Sequence, residues 1–222
     1  MEIISNNQAG VQIELGLFDT LKGLFLIEPI FLFGIIVIGI LLAVIFQKDG
    51  TIPKMRTVIL SLAIYYYLCF TLENIVGIPT FAEYIRIARL GESFFHPNIN
   101  LVPLGDGFQL SFILNIFLFI PLGFLCPLLS KTFERARNIF LIGIGFSLFI
   151  EIAQLFTLYR ATDINDLLTN VIGTMLGYLC FRVIAKLRIV KLHSRNGIKE
   201  QDHTAYIPIV ILMIAAVICF FS

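Results

Sequence analysis

The fold class predicted from the sequence is all-α: a polytopic transmembrane helix bundle of five to six spans, with interfacial helices and a partly re-entrant outer loop. Three observations predict it. First, 58% of the 222 residues are hydrophobic against 16 basic and 15 acidic side chains, more hydrocarbon than soluble cores of this length can bury. Second, apolar runs close to the roughly 20 residues that a membrane-crossing helix needs recur along the chain. Third, the basic residues collect on alternate sides of those runs. A net charge of +1 excludes the basic surface of a nucleic-acid binder, and the low charge density excludes a disordered chain.

The elements follow in order. Residues 1–22 form an outer segment whose first ten residues are polar and carry no basic region, so no cleavable leader is predicted. Residues 11–25 are amphipathic and are expected along the outer interface. The membrane domain, 23–187, contains spans at 23–46, 55–78, 109–129, 138–156 and 167–187. Between the second and third spans, 81–90 interleaves Glu83, Arg86 and Arg89 with Phe, Tyr and Ile, a second interfacial pattern. The following HPNINLVPLGDG, 96–107, is punctuated by Pro and Gly yet apolar at Ile99, Leu101, Val102 and Leu104. Such a loop enters a bilayer only where protein shields its peptide groups. A basic loop, 188–205, leads to a short sixth span in 206–222, which Pro208 suits as a first helical turn and Tyr206 as an interfacial anchor.

Alternating sides place Lys48, Lys54, Arg56, Lys131, Arg135, Arg137 and the run from Arg182 to Lys199 together, and that side reads as cytoplasmic. The opposite side keeps Lys22, Arg86, Arg89 and Arg160, so both termini are expected outside. Cys69, Cys126, Cys180 and Cys219 lie far apart in apolar runs, without the spacing of a disulfide framework or zinc site, and are read as buried packing residues.

Polar residues inside spans are costly and each needs a reason. Glu73, Asn115, Glu151, Gln154, Asp166 and Asn170 all fall in the outer half. Ser147, Glu151 and Gln154 share one face of the fourth span at i, i+4 and i+7, and Asp166, Asn170, Gly173 and Gly177 share one face of the fifth. Gly173 and Gly177 form a small-xxx-small step that lets the two polar faces meet. In the third span Ser111 and Asn115 share a face, and Pro121 with Gly123 should kink the helix. Each residue alone reads more readily as structural, with Glu151 clamped by Arg160 and Asp166 capping the fifth helix. Clustered with Arg160 and Asp163 at one depth, they read as a functional outward cavity. Tyr65, Tyr66 and Tyr67 read as an interhelical packing patch, and His96 as a solvated loop residue.

Four motifs in this order, NLVPL (100–104), NIFLFIPLGF (115–124), SLFIEIAQ (147–154) and RATDINDLLTNVIGTMLGY (160–178), resemble the VanZ-like membrane protein family. The resemblance covers about 100–178 and implies a bacterial inner- or plasma-membrane protein of a family named after a teicoplanin-resistance factor. Carried over by position, its motif residues are Asn100, Asn115, Pro121, Glu151, Gln154, Arg160, Asp163, Asp166, Asn170 and Gly173. Asn165 occupies a motif step where the residue type is permissive.

Two function classes compete. In the first, the protein is not an enzyme: a cavity of Asn100, Asn115, Glu151, Gln154, Arg160, Asp163, Asp166 and Asn170 binds a membrane lipid or lipid-linked envelope precursor. In the alternative, an intramembrane enzyme uses Glu151, Asp163 or Asp166 as general base and Arg160 to stabilise developing charge. No cofactor is required, although Asp163 and Asp166 are oxygen ligands suited to a divalent cation. The absence of an activated nucleophile places the enzyme second, and a transporter comes third because the polar residues stop in the outer half.

Overall fold

The structure is a computed structural model and describes residues 29–50, 52–95, 97–103, 105, 107, 109–157, 160–187 and 204–222. The segments expected at 1–22 and 11–25, the start of the first span, His96 and most of the basic loop 188–205 lie outside the described residues.

Five helices are long and apolar enough to cross a membrane. The first, α1, is Pro29–Lys48. The second, α2, is Lys54–Phe70 and continues as a π-helical stretch, Thr71–Val76, that ends at Gly77 with φ of 63°. A short interfacial helix, α3, spans Phe81–Leu90, starting at Thr80, whose hydroxyl accepts from the Glu83 amide, and stopping at left-handed Gly91. The third, fourth and fifth spans are α4 (Leu110–Leu129), α5 (Ala136–Gln154) and α6 (Ile164–Lys186). The last helix, α7, covers Ile207–Phe221, and its 15 residues leave it short of the length of those five. These helices make the protein a multi-pass membrane protein of the all-α class.

The bundle is organised around α4 and α6. Gly173 and Gly177 lie directly against the backbone carbonyls of Ile116 and Ile120, and Gly123 lies against that of Thr174. Matching steps of four residues on both helices show that α4 and α6 run parallel, with only hydrogen atoms at the crossing. The sequence reading expected this glycine step to bring the two polar faces together, but its partner is α4. The approach of α5 to α6 depends on Gly143, where an added Cβ would sit 3.0 Å from Thr174 Cγ2. α4 runs unbroken from Leu110 to Leu129 through Pro121 and Pro127.

The remaining helices pack outside this pair. α2 lies against α4, α1 and α7. Tyr65 Oη donates to the Phe31 carbonyl at 3.1 Å and Tyr67 Oη to that of Leu118 at 2.9 Å, while Tyr66 faces outward and stacks on Phe70. The tyrosine run is thus an interhelical clasp made by two of its three rings. Among the cysteines Cys69, Cys126 and Cys219 are buried as expected, but Cys180 is exposed on the outer face of α6.

A two-residue parallel strand pair was not foreseen. Ile99 and Asn100 (β1) pair with Thr162 and Asp163 (β2), and the Thr162 amide donates to the Asn98 carbonyl at 2.8 Å. The segment expected to be partly re-entrant is thus tied by its backbone to the loop that precedes α6.

Candidate functional site

At the end of the bundle where α5 stops and α6 begins, the Leu155, Phe156 and Thr157 amides close the last turn of α5 on the Ile152, Ala153 and Gln154 carbonyls, and hydroxyls of the following loop add further donors. Thr162 Oγ1 donates to the Glu151 carbonyl at 2.9 Å, and Thr157 Oγ1 to that of Gln154 at 2.8 Å. The connecting loop is thereby folded back over α5. Its Asp163 amide donates to Glu151 Oε2 at 2.9 Å, so Glu151 holds the loop by both main chain and side chain.

Asp163 is also the N-cap of α6. Its Oδ1 accepts from the Asn165 amide and from Asn165 Nδ2, each at 2.8 Å, and its Oδ2 accepts from Asn100 Nδ2 at 3.3 Å. The cap is Asp163 and not Asp166, which corrects the sequence reading. Asp166 sits in the first turn, where a carboxylate faces the positive end of the helix dipole, and Oδ1 accepts from Asn115 Nδ2 at 2.7 Å. One turn deeper, Asn170 Nδ2 donates to Ser147 Oγ at 3.1 Å. The polar faces of α5 and α6 meet there, as their helical spacing predicted.

Arg160 is placed differently from the expectation. Its guanidinium donates to the Ile75 carbonyl at 3.2 Å, beside Gly77, and leaves Glu151 unclamped. The positive φ of Gly77 turns the chain out of the π-helical stretch so that Arg160 can cover it. Arg160 is exposed at the rim of the cluster. Ser111 bonds Gln109 and takes no part. Glu73 lies half-buried in the π-helical stretch.

Burial separates the members sharply. Ser147, Glu151, Gln154 and Asn170 are 0, 3, 6 and 4% exposed, whereas Asn100, Asn115, Asp163 and Asp166 are half-buried. Three side-chain oxygens in the deep part, Glu151 Oε1, Gln154 Oε1 and Asn170 Oδ1, have no hydrogen-bond partner. Sequence reasoning underrated Asn165 and overlooked Thr162. Asn165 is 6% exposed and braces the Asp163 cap, a role that an Asn two residues after an Asp at a helix start does signal. Thr162 gave no such signal, since its partner is an α5 carbonyl eleven residues away.

For a metal, no group of three or more His, Cys, Asp or Glu converges among the described residues. An apolar groove of about 540 Å³ lies against α3, lined by Phe81, Tyr84, Ile85, Ala88, Phe94 and Phe220, and none of the cluster residues lines it.

A model of the VanZ/LLP1 family matches residues 58–185, more than half of the chain and all of the polar cluster. The chain belongs to the VanZ/LLP1 family. The match takes in the four motifs that carried the VanZ-like resemblance and extends it from the second span to the end of α6. No curated protein and no solved structure matches the chain.

Proposed function

We propose that this VanZ/LLP1 family protein binds the headgroup of an envelope lipid or lipid-linked precursor at the outer face of the bacterial cell membrane, and thereby lowers sensitivity to teicoplanin-type glycopeptides. The observation that carries the reading is the polar cluster itself. Two loops and three helices supply Asn100, Asn115, Glu151, Gln154, Asp163, Asp166 and Asn170 at one end of the bundle, with Arg160 at its rim. Amides and one exposed arginine suit a sugar or phosphate headgroup, and the surrounding apolar helix faces suit its lipid tail. The charge pattern supports an extracytoplasmic location for this end and for both termini.

Binding has more geometric support than catalysis. Of the three candidate bases, Asp163 has both oxygens and Asp166 its Oδ1 engaged by Asn and backbone donors, which is poor preparation for a general base or a shared divalent cation, and only Glu151 keeps a free oxygen. The experiment is teicoplanin and vancomycin susceptibility of a Gram-positive host carrying wild-type protein, no protein, or Glu151→Gln. Protection from teicoplanin that is lost in the variant is expected. Equal susceptibility with and without the wild-type protein refutes the resistance role, and lipid extracts of the same strains then report whether an envelope precursor changes.

A further inference from the structure

The deep part of the cluster is short of donors. Glu151 Oε1, Gln154 Oε1 and Asn170 Oδ1 are all acceptors, all on side chains at least 94% buried, and all unpartnered. The nearby donors point elsewhere. Asn170 Nδ2 is used by Ser147, the Asp163 amide by the other Glu151 oxygen, and the hydroxyls of Thr162, Thr169 and Thr174 by backbone carbonyls. Native interiors rarely leave one such oxygen bare, so three in one seam call for an occupant that only donates or carries positive charge. The charge balance agrees, since Glu151, Asp163 and Asp166 stand near one arginine whose guanidinium is turned to the Ile75 carbonyl.

The three oxygens share one seam. Ser147, Glu151 and Gln154 occupy successive turns of α5, and Asn170 reaches across from α6 at the level of Ser147. On the α5 axis Glu151 thus lies about one turn from Gln154 on one side and about one turn from the Ser147–Asn170 contact on the other.

We propose that this seam between α5 and α6 binds one dehydrated monovalent cation of the sodium type, through Glu151 Oε1, Gln154 Oε1 and Asn170 Oδ1. The inference rests on the proposed function in treating the cluster as a binding site, and it adds a second ligand of different chemistry. An all-oxygen donor set selects a hard cation over zinc or copper. One free carboxylate oxygen with two neutral amide oxygens balances a single positive charge. Magnesium and calcium carry two charges, and a single free carboxylate oxygen does not balance them in a buried seam. The half-buried Asp163 and Asp166 are not the ligands, because their oxygens are engaged as described.

The test uses the full chain purified in detergent without added lipid. Thermal unfolding is followed in sodium, potassium or N-methylglucamine chloride at equal ionic strength of about 0.15 M, and with calcium chloride added, alongside equilibrium dialysis of radiolabelled sodium. Saturable binding of one sodium per chain is expected, with a melting temperature about 3–6 °C higher than in N-methylglucamine at a tenfold excess over Kd. Glu151→Gln and Gln154→Leu should each weaken sodium binding at least about tenfold. If either variant fails to fold, the other, and the wild-type dialysis, still decide. Identical melting in sodium and N-methylglucamine overturns the proposal, as does a sodium response undiminished in Glu151→Gln. A response to calcium alone overturns the monovalent assignment. A wild-type protein that protects from teicoplanin but binds no sodium would mark failure of this inference alone, and one that binds sodium without protecting would mark failure of the proposed function alone.

Discussion

The α4–α6 crossing makes the sharpest test of the architecture. In Gly177→Ala the added Cβ would overlap the Ile120 carbonyl oxygen and lie 2.9 Å from its carbon and 3.0 Å from the Phe124 nitrogen. All three are main-chain atoms, so no side chain can swing aside. The helices must separate by roughly 1 Å to restore ordinary contact, losing dispersion along the seam. Overpacking of this kind costs about 1–3 kcal/mol. At about 2–4 °C per kcal/mol for a chain of this size, the melting temperature should fall by roughly 2–12 °C. Ala is the better helix former by about 1 kcal/mol, which makes the expected sign a strict one. Gly145→Ala on α5 is the control, because nothing lies within 4 Å of its added Cβ and propensity alone should leave it equal to or above wild type. Both variants are measured by detergent thermal unfolding. If Gly177→Ala melts with Gly145→Ala, the helices do not cross where the structure puts them.

Three further outcomes follow from named contacts. Asp163→Ala removes the α6 cap and the Asn100 link, and should lower stability by about 1–2 kcal/mol in the same assay; an unchanged melting temperature counts against the cap. Ser147→Ala strands the buried Asn170 amide and should cost about 1–3 kcal/mol, whereas Ser111→Ala, on an exposed residue outside the cluster, should stay within about 0.5 kcal/mol. In intact cells Arg160→Cys should react with a membrane-impermeant thiol reagent, given the exposure of this position and its expected outer location. Labelling only after the cytoplasmic side is opened would invert the proposed orientation.

Much of the protein was legible in the linear chain because the bilayer imposes one-dimensional rules. Apolar length alone located the end of α1, α2 with its π-helical continuation, α4, α5 and α6 to within a few residues, since each spanning segment satisfies its backbone internally and needs no distant partner. Helical periodicity likewise put Ser147, Glu151 and Gln154 on one buried face, and Asp166 and Asn170 on the face that meets α4 and α5. Periodicity reports which residues of one helix point together, and so the composition of the cluster could be read from it.

Partnership between helices could not be. The Gly173 and Gly177 step announced a close crossing, yet only the packed bundle showed it to be with α4, because small residues admit any neighbour and do not choose one. Cys69 and Cys219, 150 positions apart and read as isolated, come together with the Cys219 thiol 3.9 Å from the Cys69 carbonyl. Arg160 found the Ile75 carbonyl across 85 residues, and Ile99 and Asn100 found strand partners in a loop more than 60 residues on. Sequence determined the spans, their faces and the family, all of which depend on local period and composition. The pairing of those faces, the choice of Asp163 as the cap, and the three bare oxygens beneath it were decided by tertiary packing, since only the assembled helices fix which donors remain within reach of which acceptors.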